Sequence, residues 1–123
     1  MDSASKRAVV LVVEDEFLIR MNAIETIEEG YEVVEAANAD EAIAVLERRF
    51  DITVLFTDIQ MPGSMDGLML AAAVRHRWPP ILIVATSGQV KLHPEDLPKG
   101  GRFLPKPYSP TEIMTTLREL LAA

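Results

Sequence analysis

The chain of 123 residues contains no cysteine. That excludes disulfide bridges, thiolate zinc sites and a cysteine nucleophile, and it agrees with a cytoplasmic protein. Histidine is almost as scarce. His76 and His93 are the two present, and neither has a histidine or carboxylate at zinc-ligand spacing, so both are expected to face solvent. No apolar run reaches the roughly 18 residues of a membrane span. Residues 1–8 carry Lys6 and Arg7 but no apolar stretch before a cleavage site, so no signal peptide is expected. Positive charge is in the minority: 12 Lys and Arg against 19 Asp and Glu give a formal net charge of −7 at pH 7. Such a surface repels DNA and anionic membranes, and the short cluster Arg75-His76-Arg77 is too small to reverse that. There is no internal repeat, low-complexity tract or linker between two cores. The length suits one domain over residues 1–123, with residues 1–7 expected to be disordered.

What is present is an alternation of strand and helix patterns. Residues 8–13 form a continuous β-branched run, the mark of a central strand covered on both faces. Phe17, Met21, Ile24 and Ile27 then recur at helical spacing, and Gly30 is expected to end that helix in the left-handed conformation. Residues 31–36 read as a second strand. Asn38 and Glu41 form a capping pair for a helix whose apolar face is Ala42, Val45, Leu46 and Phe50. Residues 52–57 are the third strand. Asp66 caps a third helix carrying Leu68, Ala71, Ala72 and Val74 to about Arg77, where Pro79-Pro80 forbids continuation. Residues 81–86 and 102–104 are the last two strands. Ser109-Pro110-Thr111-Glu112 is the strongest helix start in the chain, with Ile113, Leu117, Leu120 and Leu121 facing the core. Between residues 88 and 101 two prolines and three glycines leave room for about one helical turn, around residues 94–97. The helix expected there is therefore short, distorted or absent.

Strands alternating with helices imply parallel pairing with helices on both sheet faces, and ligands at the C-terminal strand edge. Three strand runs end at that edge in charge: the first at Glu14-Asp15, the third at Asp58, the fifth before Lys106. Crowded carboxylates disfavour one another's ionisation unless a cation sits among them. The hard oxygen donors suit Mg²⁺, with Asp15 and Asp58 as direct ligands, Glu14 reaching it directly or through water, and the backbone carbonyl of Gln60 as a further oxygen. With no cysteine or histidine on this rim, Asp58 is the candidate nucleophile, giving an acyl phosphate on attack at phosphorus. Lys106 and the hydroxyl of Ser87 would hold the phosphoryl oxygens.

At these residues the chain resembles the receiver domain of two-component response regulators. The motifs that carry the likeness are VVLVVEDE, LFTDIQMPGSMDG, IVATSG and FLPKPY, in order across nearly the whole chain. The resemblance implies a flavodoxin-like, doubly wound α/β fold with a five-stranded parallel sheet ordered 2-1-3-4-5. It implies that a histidine kinase or histidine phosphotransfer protein phosphorylates Asp58, that Glu14 and Asp15 hold Mg²⁺, and that Ser87 and Lys106 grip the phosphoryl group. Phe103 matches the aromatic coupled to the hydroxyl residue, and Lys106-Pro107 matches a bond that is usually cis. Three features depart from the pattern. A residue is inserted within Pro62-Gly63-Ser64-Met65-Asp66, the interval from Ser87 to Lys106 is short, and Thr86 precedes Ser87 as a register alternative for the hydroxyl. The short interval puts in doubt the output surface usually built on the helix it lacks. Gln60 and Gln89 flank the site and are expected to tune the lifetime of the phosphoryl group.

Singly, each feature has a plain explanation. Glu14-Asp15 could cap the first helix, Asp66 cap the third, Lys106 be a solvated loop residue, Ser87-Gly88 an ordinary turn, and Phe103 simple packing. The leading expectation is a single-domain switch, not an enzyme, that acts on a downstream protein target and on neither nucleic acid nor membrane. Two alternatives stay open. An aspartyl-phosphate phosphatase normally has a second acid two residues after the nucleophile, where this chain has Gln60. A receiver-like interaction module that no longer uses phosphorylation usually lacks an acid or the lysine, and this chain keeps them all.

Overall fold

A computed structural model describes residues 7–63, 65–88 and 93–122 of the chain; Ser64, Gln89 and all but Arg7 of the segment 1–7 expected to be disordered lie outside the described residues. Five strands, β1 (Val9–Val13), β2 (Glu32–Ala36), β3 (Ile52–Asp58), β4 (Leu82–Ser87) and β5 (Arg102–Pro105), alternate with helices α1 (Phe17–Ile27), α2 (Ala39–Arg48), α3 (Gly67–Arg77) and α4 (Pro110–Ala122). All strand pairs are parallel and their order is β2-β1-β3-β4-β5. The order reverses between β1 and β3, so the crevice at their C-terminal ends is where this topology places a ligand.

Strand alternation divides the core between two faces. Leu11, Val13, Leu55 and Ile83 pack with Ala42 and Leu46 of α2 and Leu70 and Val74 of α3. Val10, Val12, Val54, Phe56, Val84 and Leu104 pack with Ala23 and Ile27 of α1 and Ile113 and Leu117 of α4. Both expected caps form at α2 and α4: Glu41 N–H donates to Asn38 Oδ1 at 2.9 Å, and Glu112 N–H to Ser109 Oγ at 3.1 Å. Asp66 likewise accepts the Met69 N–H at 2.9 Å. Among the described residues no helix is long and apolar enough to cross a membrane.

Four local expectations fail. Phe50 is 94% exposed and Phe17 61% exposed. Helix α2 stops at Arg48 and Arg49 is extended, which throws Phe50 off the helical face. Phe17 is the first residue of α1, beyond the sheet edge, where the Arg20 guanidinium lies 5.6 Å from its ring centroid. Ala72 faces solvent on α3. Gly30 is not left-handed; Gly63 and Gly100 are the described residues with positive φ. The turn after α1 closes instead on N–H bonds from Glu28 to Ile24 and from Gly30 and Tyr31 to Ile27.

Among the described residues between β4 and β5, the helical turn expected around residues 94–97 is a 3-10 turn at Pro94–Asp96. Leu97 is buried on Ile59 and Ala85, with Phe103 and Leu68 half-buried beside it. Arg75 of α3 ties this connection down, donating to the Pro79 carbonyl at 2.6 Å and the Lys99 carbonyl at 3.0 Å. Arg75→Ala is expected to destabilise the fold by about 1.5 kcal/mol, since two charge-assisted bonds to backbone oxygens are lost. The midpoint of urea unfolding measures it, and an unchanged midpoint would count against the tether.

Candidate functional site

The site grows directly out of strand alternation. On β1 the row Val10, Val12 continues to Glu14; on β3 the row Val54, Phe56 continues to Asp58; on β5 the row through Leu104 continues to Lys106. Val13 and Thr57 are register partners, as are Asp58 and Thr86, so these rows end at one level. Three polar side chains are thereby carried to the same end of one apolar layer. Asp15, next along, is exposed at the rim.

Glu14 and Asp58 are 4% and 6% exposed. Lys106 Nζ lies 2.8 Å from Glu14 Oε1 and 3.4 Å from Asp58 Oδ1. Glu14 Oε2 accepts the Glu16 N–H at 3.1 Å. Carboxylate oxygens of Glu14, Asp15 and Asp58 all lie within 4.8 Å of one another. Asp15, Asp58, Gln60, Gly88 and Lys106 line a cleft of about 290 Å³.

Burial raises the pKa of Asp58 first of all, with Lys106 and the Gln60 N–H pulling it down and Asp15 adding repulsion. Burial likewise raises Glu14 against the hydrogen bonds from Lys106 and Glu16. For Lys106 burial works toward the neutral form, but Glu14 and Asp58 together outweigh it and its pKa is raised. The lysine therefore stays charged while both acids are strained by their own ionisation. A hard cation relieves that strain, and the donor set fits one: every donor is a carboxylate or carbonyl oxygen. Glu14, Asp15, Asp58 and the Gln60 carbonyl are the residues that could hold Mg²⁺.

The two candidate hydroxyls fall on opposite rows. Thr86 is buried and register-paired with Asp58. Ser87 lies two residues beyond Ala85, the partner of Phe103, and so shares the row of that aromatic. Its Oγ is 3.4 Å from Gln60 Oε1, and its carbonyl accepts the Lys106 N–H at 3.0 Å. The Lys106-Pro107 bond is cis. The plain readings hold for Asp66 and for His76 and His93, which are exposed. Lys106 is no solvated loop residue, its side chain being 18% exposed.

Sequence reasoning missed three neighbours. Tyr108 sets its ring edge-on to Phe56 at 6.0 Å, and burial pushes its hydroxyl up to about 12. Arg20 donates to the Glu14 carbonyl at 2.7 Å. Gly67 lies against the Asp58 backbone. The Asp-Gly pair at residues 66–67 was a visible signal for the last; the first two depend on contacts between distant segments.

The family model of the response regulator receiver domain matches residues 10–118. The chain belongs to the response regulator receiver family. This receiver is 35% identical over 122 residues to the sensor kinase CckA of Brucella abortus (strain 2308), a match covering 95% of this chain and 13% of that protein. It is 34% identical over 116 residues to the transcriptional regulatory protein ResD of Bacillus subtilis (strain 168), covering 91% of this chain and 47% of the relative. The receiver thus spans less than half the length of either curated relative. Among solved structures, a response regulator receiver protein from Sinorhizobium medicae WSM419 superposes with a TM-score of 0.88 at 25% identity, covering 97% of this chain and 98% of that one. The receiver domain of the hybrid histidine kinase CckA superposes with a TM-score of 0.79 at 32% identity, covering 93% and 99%. The receiver is accordingly a domain of two-component signalling rather than a classical enzyme, of a kind that binds Mg²⁺ in an acidic pocket and meets histidine kinases and downstream effectors.

Proposed function

We propose that this receiver takes a phosphoryl group on Asp58 from a histidine kinase or histidine phosphotransfer protein, in the cytoplasm, and that the added charge switches a protein-binding face. The observation that carries this is Lys106 held between Glu14 and Asp58, with a third carboxylate within 4.8 Å. When bound by Glu14, Asp15, Asp58 and the Gln60 carbonyl, Mg²⁺ supplies positive charge to offset the acids and the incoming phosphoryl oxygens. An Asp58 carboxylate oxygen forms the new bond to phosphorus; the P–N bond to the donor histidine breaks, and its nitrogen leaves with the bonding pair and takes up a proton. Lys106 holds one phosphoryl oxygen, and the Ser87 hydroxyl swings from Gln60 to another. Ser87 suits this role better than Thr86 because it shares a row with Phe103, so its shift frees space into which that half-buried ring can turn. Output is through protein contact, by a bistable loop that a local charge biases.

The phosphatase alternative is disfavoured by Gln60, whose amide is far too weak an acid to protonate a leaving group. The inert module is disfavoured by the retention of every acid and the lysine. The test is intact mass after incubation with Mg²⁺ and a small phosphodonor. One phosphoryl adduct, absent in EDTA, is expected; multiple turnover of a phosphoester, or no adduct with any donor, would overturn the reading.

A pH dependence follows from the raised acids. Mg²⁺ needs both ionised, and burial makes them hold protons above the ordinary carboxylate range. The Mg²⁺ concentration for half-saturation is therefore expected to rise as pH falls from about 8 towards 5, beginning earlier than a solvent-exposed carboxylate pair would allow. Calorimetric titration across that range checks it; a flat profile down to the ordinary carboxylate range would contradict it.

A further inference from the structure

The structure assigns Arg20 as a positioning residue that holds the peptide between Glu14 and Asp15, and with it the acids proposed above to bind Mg²⁺. The assignment rests on that proposal for its consequence and on independent geometry for its cause. Arg20 lies in the first turn of α1, its own N–H bonded to the Glu16 carbonyl at 2.9 Å. Its side chain turns back over the helix start, with Nη1 2.7 Å from the Glu14 carbonyl and Nε 2.9 Å from Glu35 Oε1 on β2. The arginine side chain is 13% exposed, its carboxylate partner Glu35 52%. The bond to the backbone is thus the shorter and the better shielded of the two.

The location of that bond gives it its reach. Val13 is the last β1 residue paired with β3, so the chain beyond it is no longer held by the ladder on that side. Glu14 is then gripped by other means: its N–H donates to the Ala36 carbonyl at 3.2 Å, and its carboxylate takes Lys106 and the Glu16 N–H. Its carbonyl takes Arg20. A peptide unit is planar, so fixing this oxygen fixes the Asp15 nitrogen and Cα as well. Releasing it lets the plane rotate and swings Asp15 away from Glu14 and Asp58. Lysine is a poor replacement here, because its one nitrogen on a shorter stem lacks the two separated donors, Nε and Nη1, that face the carboxylate and the carbonyl from fixed positions in a planar fork.

Two effects of opposite sign separate the possibilities. If Arg20 acted only as a nearby positive charge, its removal would tighten Mg²⁺ binding. If it positions the acids, removal weakens binding despite the lost repulsion. Calorimetric titration with Mg²⁺ is expected to show a dissociation constant raised about 10-fold in Arg20→Ala, the usual scale for groups that orient metal ligands. Arg20→Lys is expected to be weakened several-fold. Glu35→Gln, which leaves the carbonyl bond in place, is expected to change by less than about 3-fold. Phosphate uptake by Arg20→Ala should reach the parent rate at saturating Mg²⁺, since the acceptor itself is untouched. Tighter or unchanged binding in Arg20→Ala overturns the assignment, as does Arg20→Lys matching the parent. If Arg20→Ala fails to fold, the lysine variant decides alone. A parent chain that binds Mg²⁺ and takes phosphate while Arg20→Ala does both equally well sinks this assignment only; a parent that binds no Mg²⁺ sinks the proposed function as well.

Discussion

Asp58→Asn is expected to take up no phosphoryl group and, in EDTA at neutral pH, to be more stable than the parent by about 1 kcal/mol, or roughly 4 °C in melting temperature. The two results have one cause. Burial raises the Asp58 carboxyl above its ordinary value of 3.8, and neither Lys106 nor the Gln60 N–H offsets this. The folded chain therefore binds that proton more tightly than the unfolded chain does. Its contribution to stability is full below the unfolded value and is lost as pH rises through the folded one. Above that raised value the parent has lost it, whereas asparagine keeps the shape without the charge. The gap between the two should accordingly close as pH falls towards the ordinary carboxylate range. Lys106 is not stranded by the change, because Glu14 Oε1 still lies 2.8 Å from it. Mg²⁺ should reverse the order, since the parent gains from a ligand that the variant binds less well. Urea unfolding with EDTA and with Mg²⁺, at several pH values, reads all of this. A variant less stable than the parent in EDTA at neutral pH would mean that the pairing with Lys106 outweighs burial.

The legible and the illegible parts of this chain differ by range. The β-branched run of β1, the cap at Asn38 and the capping box of Ser109 and Glu112 are local, and each formed where the residues called for it. The site was legible because it is local too, in triplicate: each charged residue sits at the end of its own apolar strand, and parallel topology does the gathering. What escaped depends on where an element stops relative to its neighbours. Phe50 has the spacing of the α2 apolar face, but the helix ends at Arg48. Gly30 stands where a left-handed residue commonly ends a helix, yet its φ is not positive and the turn closes on Ile24 and Ile27. Arg20 gives no sign in its own surroundings that it will reach backwards to the Glu14 carbonyl and across to β2. A long flexible side chain can cover any nearby carbonyl, and only the packed arrangement of β1, α1 and β2 selects this one.

Gly67→Ala should be the most damaging single methyl group that can be added near the site, costing about 3 kcal/mol or more. A Cβ there would lie 2.0 Å from the Asp58 carbonyl oxygen and 2.6 Å from the Ile59 Cα. Both obstacles are backbone, so no side-chain rotation relieves the clash. The close approach exists because the Gly67 N–H donates to the Ile59 carbonyl at 2.8 Å, drawing the start of α3 against the end of β3. Relief must come from breaking that bond or from displacing the Asp58 peptide, and the second moves the proposed phospho-acceptor. Loss of stability and loss of phosphate uptake are therefore expected together. Gly63→Ala is the control in the same loop. Nothing lies within 4 Å of its Cβ, but its φ of 114° is one that side chains rarely adopt. Strain alone should cost about 1 kcal/mol there and leave phosphate uptake near the parent rate. Urea midpoints and uptake rates for the two variants separate clash from strain. If Gly67→Ala were no less stable than Gly63→Ala, the contact between the start of α3 and the acceptor strand could not be what fixes Asp58 in place.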